Sequence, residues 1–583
     1  MSLMRILLLL CLPVIPLVVL NACNGGRSER RKANEEFARF VDRHFQSYFE
    51  WRPSAATEAG FHEFDSKLEN YSAGAIRARI ALLSEELLRL NELRQRPLGP
   101  QEEIDAAFLE GDLRSELLNL ETLRTLHRNP MPYVSLPGSA VDALIKRNFA
   151  PPAERLRSVV ARLRAVPALL EAMRANVQDP PKEYTEFAIR LATGSVSFLG
   201  DAVRSWGMQA AGEDPALRRE LDEASAQAAR AMSEAAAWLK EDLLPRSRGS
   251  FAIGAGNFSR KLLYDELIDI PLDRLLAIGE ANLEKDRQAF LATAARIAPG
   301  KPPAEVMRLI SADHPSEMEL VEAARRQLES IRQFLVERRI AAIPSEVRPI
   351  VALTPPYARA GAFAMMETPG AYETKATEAF YYVTPPEPGW SAQQKEEHLR
   401  LFNRPVMEVI SIHEVWPGHY LQFLYARQFP TKTRKLLYSG TNVEGWAHYA
   451  EQMMIEEGYG GGDPRIRLAQ LSEALLRDCR FVAGIRMHAQ GMTVEEAARL
   501  FMEKGFCERA VALEEARRGT YDPTYLVYSL GKLMIYKLRD DLRQMQGSSY
   551  SIENFHNAFL RQGGLPLPLL RKILLPGRNL PLL

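Results

Sequence analysis

The chain has 583 residues, of which 46% are hydrophobic and 25% charged, and its 74 basic residues balance its 74 acidic residues. This length is several times that of a typical domain, and the absence of net charge argues against a nucleic-acid-binding protein. Four cysteines are too few for a disulfide-stapled fold, although Cys479 and Cys507 could pair outside the cytoplasm. Composition therefore indicates a globular body of more than one lobe.

Residues 1–22 have the pattern of a secretory signal, with one basic residue, an apolar run and a small residue before Cys23. The segment Leu20–Cys23 resembles a bacterial lipobox, which would make Cys23 the lipidated first residue of the mature chain. An ordinary cleaved signal and an uncleaved anchor are the alternatives. With Asn24 next, we expect a lipoprotein of the bacterial cell envelope, anchored to the outer membrane by a polar tether over residues 23–33.

The body of the chain reads as two helical parts. From residue 34 to residue 299, apolar residues recur three and four positions apart with charges between them, which predicts the packed amphipathic helices of an N-terminal lobe. Residues 300–583 would form the second, catalytic lobe. Within that lobe, Pro, Gly, Tyr and β-branched residues over 346–386 predict short strands. There Tyr381 and Tyr382 either line a substrate groove or pack in the core.

Two imidazoles and a carboxylate lie close together in the stretch HEVWPGHYLQ, residues 413–422. In the simpler HExxH pattern, histidines four residues apart share one helix face and bind zinc. Here His419 follows His413 by six residues, which on an ideal helix places it about 240° around the axis. Pro417 and Gly418 allow the helix to widen or break, because proline lacks an N–H and glycine tolerates unusual backbone angles. Such a break would bring His419 under His413.

A second helix is predicted in TNVEGWAHYAEQMM, with Asn442 as its N-cap. It places Glu444, His448 and Glu451 on one face. If this helix runs back beside the first, Glu444 completes a His–His–Glu zinc site that keeps one open position. His448 is the alternative third ligand or a residue behind the ligands, and Glu451 is expected to orient a ligand imidazole.

The combination HExxPGHxxQ followed by EGWAxYxE resembles the bacterial family known as domain of unknown function 885, which is grouped with zinc peptidases that carry a downstream Glu ligand. The resemblance implies a mainly α, two-lobed, metallopeptidase-like fold with a deep cleft and a small β-sheet just before the metal-binding helix. In helical peptidases of this type, such a sheet offers an edge strand to the substrate backbone. The resemblance also implies Zn²⁺ as the cofactor.

The site chemistry follows from zinc held by two neutral imidazoles and one carboxylate, which activates a bound water. Glu414 would take the proton of that water and pass it to the leaving amine. Because related peptidases use a tyrosine of a late helix to stabilise the oxyanion, the candidates for that role are, in order, Tyr528, Tyr525 and His488. Arg486 or Arg518 could bind a terminal carboxylate of the substrate as a fork.

The leading hypothesis is a zinc-dependent peptidase that cuts oligopeptides at the periplasmic or outer surface. One alternative is a catalytically inactive lipoprotein binding module on a peptidase scaffold, which the six-residue spacing of the histidines favours. Another is a zinc amidase that acts on cell-wall peptides by the same chemistry. The expected partners are a peptide substrate and a membrane, reached through the N-terminal lipid anchor, and no nucleic acid.

Overall fold

The computed structural model describes residues 17–355, 359, 363–578 and 580–583, with side chains from Arg27 onwards. Most of the predicted signal peptide and the side chain of Cys23 lie outside these residues, so lipidation stays a prediction. The predicted tether, residues 23–33, is helical and belongs to α1, Leu17–Trp51. Among the helices described, none has the length and apolar character needed to cross a membrane.

The chain up to residue 337 is helical, as the periodicity predicts. Several of these helices begin with a clear local signal: Ser72 Oγ accepts a hydrogen bond from Ala75 N–H at the start of α3, and Asp214 caps α10 in the same way. After α1, the helices are α2 Pro53–Ala59, α3 Ala73–Arg94, α4 Pro100–Leu117, α5 Thr125–Arg128, α6 Met131–Ile145, α7 Pro152–Asn176, α8 Lys182–Ser197, α9 Val203–Ala210, α10 Pro215–Trp238, α11 Ala255–Glu266, α12 Leu272–Ile297, α13 Pro303–Ile310 and α14 Leu320–Glu337.

A three-stranded sheet follows and confirms the small sheet predicted before the histidine helix. Its strands are β1 Ile350–Leu353, β2 Ala364–Glu367 and β3 Phe380–Val383. β3 is central, with β1 parallel on one side and β2 antiparallel on the other. β2 is therefore an edge strand, so one row of its backbone N–H and C=O groups points away from the sheet.

Helices return after the sheet and continue to the C-terminus. They are α15 Ala392–Leu401, α16 Arg404–Glu414, α17 His419–Ala426, α18 Lys432–Leu436, α19 Gly440–Glu456, α20 Pro464–Ala489, α21 Val494–Glu503, α22 Arg509–Tyr521, α23 Val527–Gln546, α24 Ile552–Leu560 and α25 Leu567–Leu574. Asn403 caps α16, because its side chain accepts from Val406 N–H. Asn442 does not cap α19: the helix begins two residues earlier, after Ser439, and the Asn442 amide donates to the Leu565 carbonyl instead.

The main hydrophobic core is continuous from Ala33 to Leu575. It crosses the predicted lobe boundary at residues 299–300, because α12 packs along α20. At this contact Gly279 meets the Phe481 ring, and the Asn282 amide donates a 2.8 Å hydrogen bond to Asp478 Oδ1. The division into two lobes with a cleft between them stays a prediction.

Two glycines let α19 and α23 pack at close range, and this contact fixes the helix that carries Glu444. A Cβ at Gly445 would lie 2.6 Å from the Gly531 Cα, and a Cβ at Gly531 would lie 2.1 Å from the Thr441 carbonyl oxygen. Both contacts are with backbone, which cannot move aside as a flexible side chain can. The backbones of the two helices therefore approach as closely as glycine allows.

We expect Gly445→Ala or Gly531→Ala to destabilise the protein by about 1–3 kcal/mol, because each methyl group would overpack the α19–α23 contact. The measurement is the shift of the urea unfolding transition. The matched control is Gly194→Ala in α8, where a Cβ meets no atom within 4 Å and helix propensity favours alanine by up to about 1 kcal/mol. Equal stability of Gly445→Ala and the parent would contradict the assigned packing.

Candidate metal centre

The helix that carries both histidines breaks between them. α16 ends at Glu414 and α17 begins at His419. The chain turns back on itself so tightly that Gly418 N–H donates a 3.0 Å hydrogen bond to the Ile412 carbonyl, and a Cβ at Gly418 would lie 1.7 Å from the His413 carbonyl oxygen. Only glycine fits this approach. The turn brings the rings of His413 and His419 to a centroid distance of 4.8 Å.

Helix α19 is tied directly to this break. The fully buried Trp446 donates from its indole N–H to the Pro417 carbonyl at 2.8 Å. A buried backbone carbonyl in an irregular segment needs such a partner, since leaving it unpaired costs about 1–3 kcal/mol. The bond fixes the turn and, with it, the position of α19 relative to the two histidines.

Glu444 of α19 completes the group. His413 Nε2 lies 3.6 Å and His419 Nε2 lies 3.5 Å from Glu444 Oε2, and one ligand atom from each of the three residues lies within 4.8 Å of the other two. Two ligands about 2.0–2.1 Å from a tetrahedral ion are about 3.3 Å apart. The two nitrogen-to-oxygen distances are close to this spacing, so these two imidazoles and this carboxylate could hold a zinc ion. Among the residues described, no other group of His, Cys, Asp or Glu lies close enough together to do so.

A second carboxylate holds the first histidine from behind. Glu451 is fully buried, and its Oε1 accepts from His413 Nδ1 at 2.7 Å while its Oε2 accepts from His448 Nδ1 at 3.0 Å. Because this bond keeps a proton on Nδ1 of His413, Nε2 is the ring nitrogen that could bind a metal ion once it gives up its own proton. The structure thus brings Glu444, and not His448, to the two imidazoles. Arg477 Nη2, 3.5 Å from Glu451 Oε1, balances the buried charge.

The electrostatics of the group favour a cation. Burial opposes charge on His413, yet hydrogen bonds to Glu444 and Glu451 raise the pKa of His413 to about 9. Burial likewise opposes the charge of Glu444, but the two imidazoles hold its pKa well below its ordinary value. Burial also opposes the charge of Glu451, but Arg477 holds its pKa well below its ordinary value, so both carboxylates are anionic at neutral pH. His448 is neutral, since burial and the nearby Lys532 lower its pKa to about 3.

The edge strand β2 reaches Glu414. The Met366 backbone N–H donates to Glu414 Oε2 at 3.0 Å, on the side of β2 that faces away from β3. The carboxylate next to His413 in sequence therefore lies at the free edge of β2. Sequence reasoning missed this contact, because the four-residue strand AMME carries no signal that distinguishes an edge strand from a central one.

Tyr528 is the predicted oxyanion donor that the structure brings to the histidines. Its ring lies 6.5 Å from the His413 ring, and its hydroxyl oxygen accepts from Arg518 Nη2 at 3.4 Å. Burial, together with the charge of Glu444, raises the pKa of Tyr528. The hydroxyl therefore keeps its proton and can donate it. Arg518 also forms an ion pair with Asp522, so the guanidinium that contacts Tyr528 is itself held in place by a carboxylate.

The other predicted residues lie elsewhere. Tyr525 is 1% exposed and packs against Gly519, and His488, also buried, bonds to the Gly519 carbonyl, so both sit inside the packing of α20 with α22. Arg486 is paired with Glu280 of α12.

Tyr381 and Tyr382 belong to the central strand β3, where both are buried, and the Tyr381 hydroxyl bonds to Ser411. A peptide cannot add to a strand that is paired on both sides. Between the two interpretations left open by the sequence, the positions of these tyrosines favour the core.

Cys479 and Cys507 are free thiols.

The chain resembles two solved structures, each described as a "putative lipoprotein". The one from Shewanella oneidensis, whose function is described as unknown, shares 27% identity, covers 92% of this chain and 99% of its own, and superposes with a TM-score of 0.77. The one from Colwellia psychrerythraea, at 16% identity, covers 93% and 98% with a TM-score of 0.79 and shares the fold.

No curated protein matches the chain significantly. The family model described as "Bacterial protein of unknown function (DUF885)" matches residues 53–574. This range contains the broken helix, the edge strand β2 and the helices that carry Glu444, Glu451 and Tyr528. The chain belongs to the DUF885 family of bacterial proteins.

Proposed function

We propose that the protein is a zinc-dependent peptidase that hydrolyses peptide bonds of oligopeptides. The observation that carries the proposal is the clustering of His413, His419 and Glu444, whose ligand atoms lie within 4.8 Å of one another, with Glu414 next to His413 in sequence. Two imidazoles and one carboxylate leave a zinc ion with net positive charge and one open position, as in known catalytic sites.

When bound, zinc supplies Lewis acidity and lowers the pKa of a water molecule toward neutrality. Residues of the chain supply the proton transfer and the hydrogen bond to the substrate. Glu414 accepts a proton and delivers it to the leaving amine. The Tyr528 hydroxyl donates a hydrogen bond to the carbonyl oxygen as negative charge develops there, a contribution that can be worth about 10²-fold or more.

The edge strand β2 gives the substrate a backbone partner. An extended peptide that pairs with its free edge would run past Glu414, because Met366 N–H already reaches that carboxylate. On approach the peptide can take over the Met366 N–H, which frees Glu414 for proton transfer. Binding and activation of the general base would then be one event.

We also propose that the protein acts at the bacterial cell envelope, held by lipid on Cys23. The lipobox-like segment Leu20–Cys23 supports this location, and so does the description of both similar structures as a "putative lipoprotein".

The metal-binding proposal predicts one equivalent of zinc in the purified protein that lacks its leader, and less than a tenth of that in His413→Ala and in Glu444→Gln after dialysis against a mild chelator. Each variant removes one of three ligands from a site that needs all three. Elemental analysis measures the content. The control is His127→Ala, a histidine of α5 far along the chain from the ligands. A parent protein that holds no stoichiometric zinc under zinc-replete conditions would favour the binding-module hypothesis.

The role of Glu414 predicts that Glu414→Gln retains zinc but loses about 10²–10⁴-fold in kcat, because the amide cannot accept the proton. The measurement pairs zinc content with the cleavage rate of a mixed peptide library, read by mass spectrometry. Glu397→Gln in α15, an exposed glutamate that bonds only to Gln393 among the residues described, is the control. Full activity in zinc-loaded Glu414→Gln would refute the assigned general base.

A further inference from the structure

A cavity of about 480 Å³ opens directly beside the candidate metal centre. Two of the three candidate ligands, His419 and Glu444, form part of its wall, and Met366 and Thr368 of the β2 region form another part. Its volume falls within the range of small-molecule and side-chain binding sites. No role assigned above uses this space.

Most of the remaining wall is apolar. It is formed by Phe423, Phe429, Leu437, Val443, Phe559 and Leu560. Phe559 and Leu560 are almost completely buried and form the deep part, whereas Phe423, Phe429 and Val443 are half-buried and present their free faces to the cavity. Water in such a cavity makes few hydrogen bonds, so an apolar side chain that displaces it gains free energy.

The charges of the cavity oppose a basic occupant. Glu444 is directed to the two imidazoles, and Arg434 is paired with Asp105 at 2.7 Å. Lys435, whose ammonium lies 5.5 Å from the Tyr372 ring, has no carboxylate partner within the described part of the chain. A lysine or arginine side chain would therefore meet a like charge and no free carboxylate.

The edge strand sets where a substrate side chain would point. Met366 and Thr368 are two residues apart, so along an extended chain their side chains lie on the same side, and both line the cavity. A peptide paired with the free edge of β2 follows the same alternation. One of its side chains near Glu414 therefore faces the cavity while its neighbours point away.

We propose that this cavity is the specificity pocket of the enzyme, and that it selects peptides with a large apolar side chain, such as Phe, Leu or Met, beside the scissile bond. The proposal rests on the peptidase function proposed above and adds the substrate class. It assigns Phe423 to the apolar contact and Lys435 to the exclusion of basic side chains.

The test uses zinc-loaded protein and a peptide series that varies only at the two positions flanking one scissile bond. We expect the parent to prefer Phe over Ala at one of these positions on the order of 10²-fold in kcat/KM, with Lys cleaved no better than Ala. Phe423→Ala should reduce the Phe-to-Ala ratio about 10-fold, because the aromatic contact is lost. Lys435→Glu should raise cleavage of the Lys peptide about 10-fold.

Two neighbouring substitutions serve as matched controls. Leu424→Ala removes a side chain of α17 next to Phe423 that does not line the cavity, and Lys432→Glu reverses a charge one turn before Lys435 on α18, where the lysine pairs with Asp42. Both controls should keep the specificity of the parent. A parent without apolar preference, or a preference unchanged in both Phe423→Ala and Lys435→Glu, would overturn the proposal.

A binding measurement separates this proposal from the peptidase function itself. Isothermal titration of the Phe, Ala and Lys peptides into Glu414→Gln reports the pocket without turnover. In one outcome, the parent cleaves none of the peptides while the Phe peptide still binds to Glu414→Gln, about 10-fold more weakly when Phe423→Ala is added. That result would support the pocket assignment and refute the hydrolytic function. If no peptide binds with a preference for Phe, the pocket assignment falls as well.

Discussion

The close contact between Gly418 and the carbonyl groups of Ile412 and His413 is the constraint on which the candidate site depends. A continuous α-helix would send the two imidazoles to different sides, since they are six residues apart. The sharp turn cancels that rotation, and it can form only because residue 418 has no side chain. The buried indole of Trp446 then binds the Pro417 carbonyl and holds the turn against α19.

The same helix α19 carries the groups that face the turn. Glu444 reaches the imidazoles, and Glu451, two turns later, orients His413 and binds His448 behind it. The position of α19 depends in turn on Gly445 and Gly531, which let it lie against α23, the helix that supplies Tyr528. Three glycines thus place the carboxylates, the imidazoles and the tyrosine, because each permits an approach that any side chain would block.

The edge strand β2 and the apolar cavity both lie beside the candidate site. β2 is short and sits at the edge, and its outward N–H already binds the carboxylate of Glu414. The apolar cavity, which Met366, His419 and Glu444 line together, contains one lysine, Lys435, without a carboxylate partner among the described residues. Under the proposed function, a peptide that follows the edge would be positioned by its backbone, and one of its side chains would be selected by size and charge.

The sequence by itself determined the helical class, the small sheet and the residues that come together at the candidate site. Each of these can be recognised from local features of the sequence: hydrophobic periodicity, the positions of proline and glycine, and the spacing of His413, His419 and Glu444. Tertiary structure alone decided that β3 is central and β2 an edge strand, and that Tyr381 and Tyr382 are buried. It also decided that Tyr525 and His488 pack away from the histidines while Tyr528 faces them, and that Glu444, and not His448, lies against the two imidazoles. These outcomes depend on contacts between segments far apart in the chain, whose direction and depth no local pattern encodes.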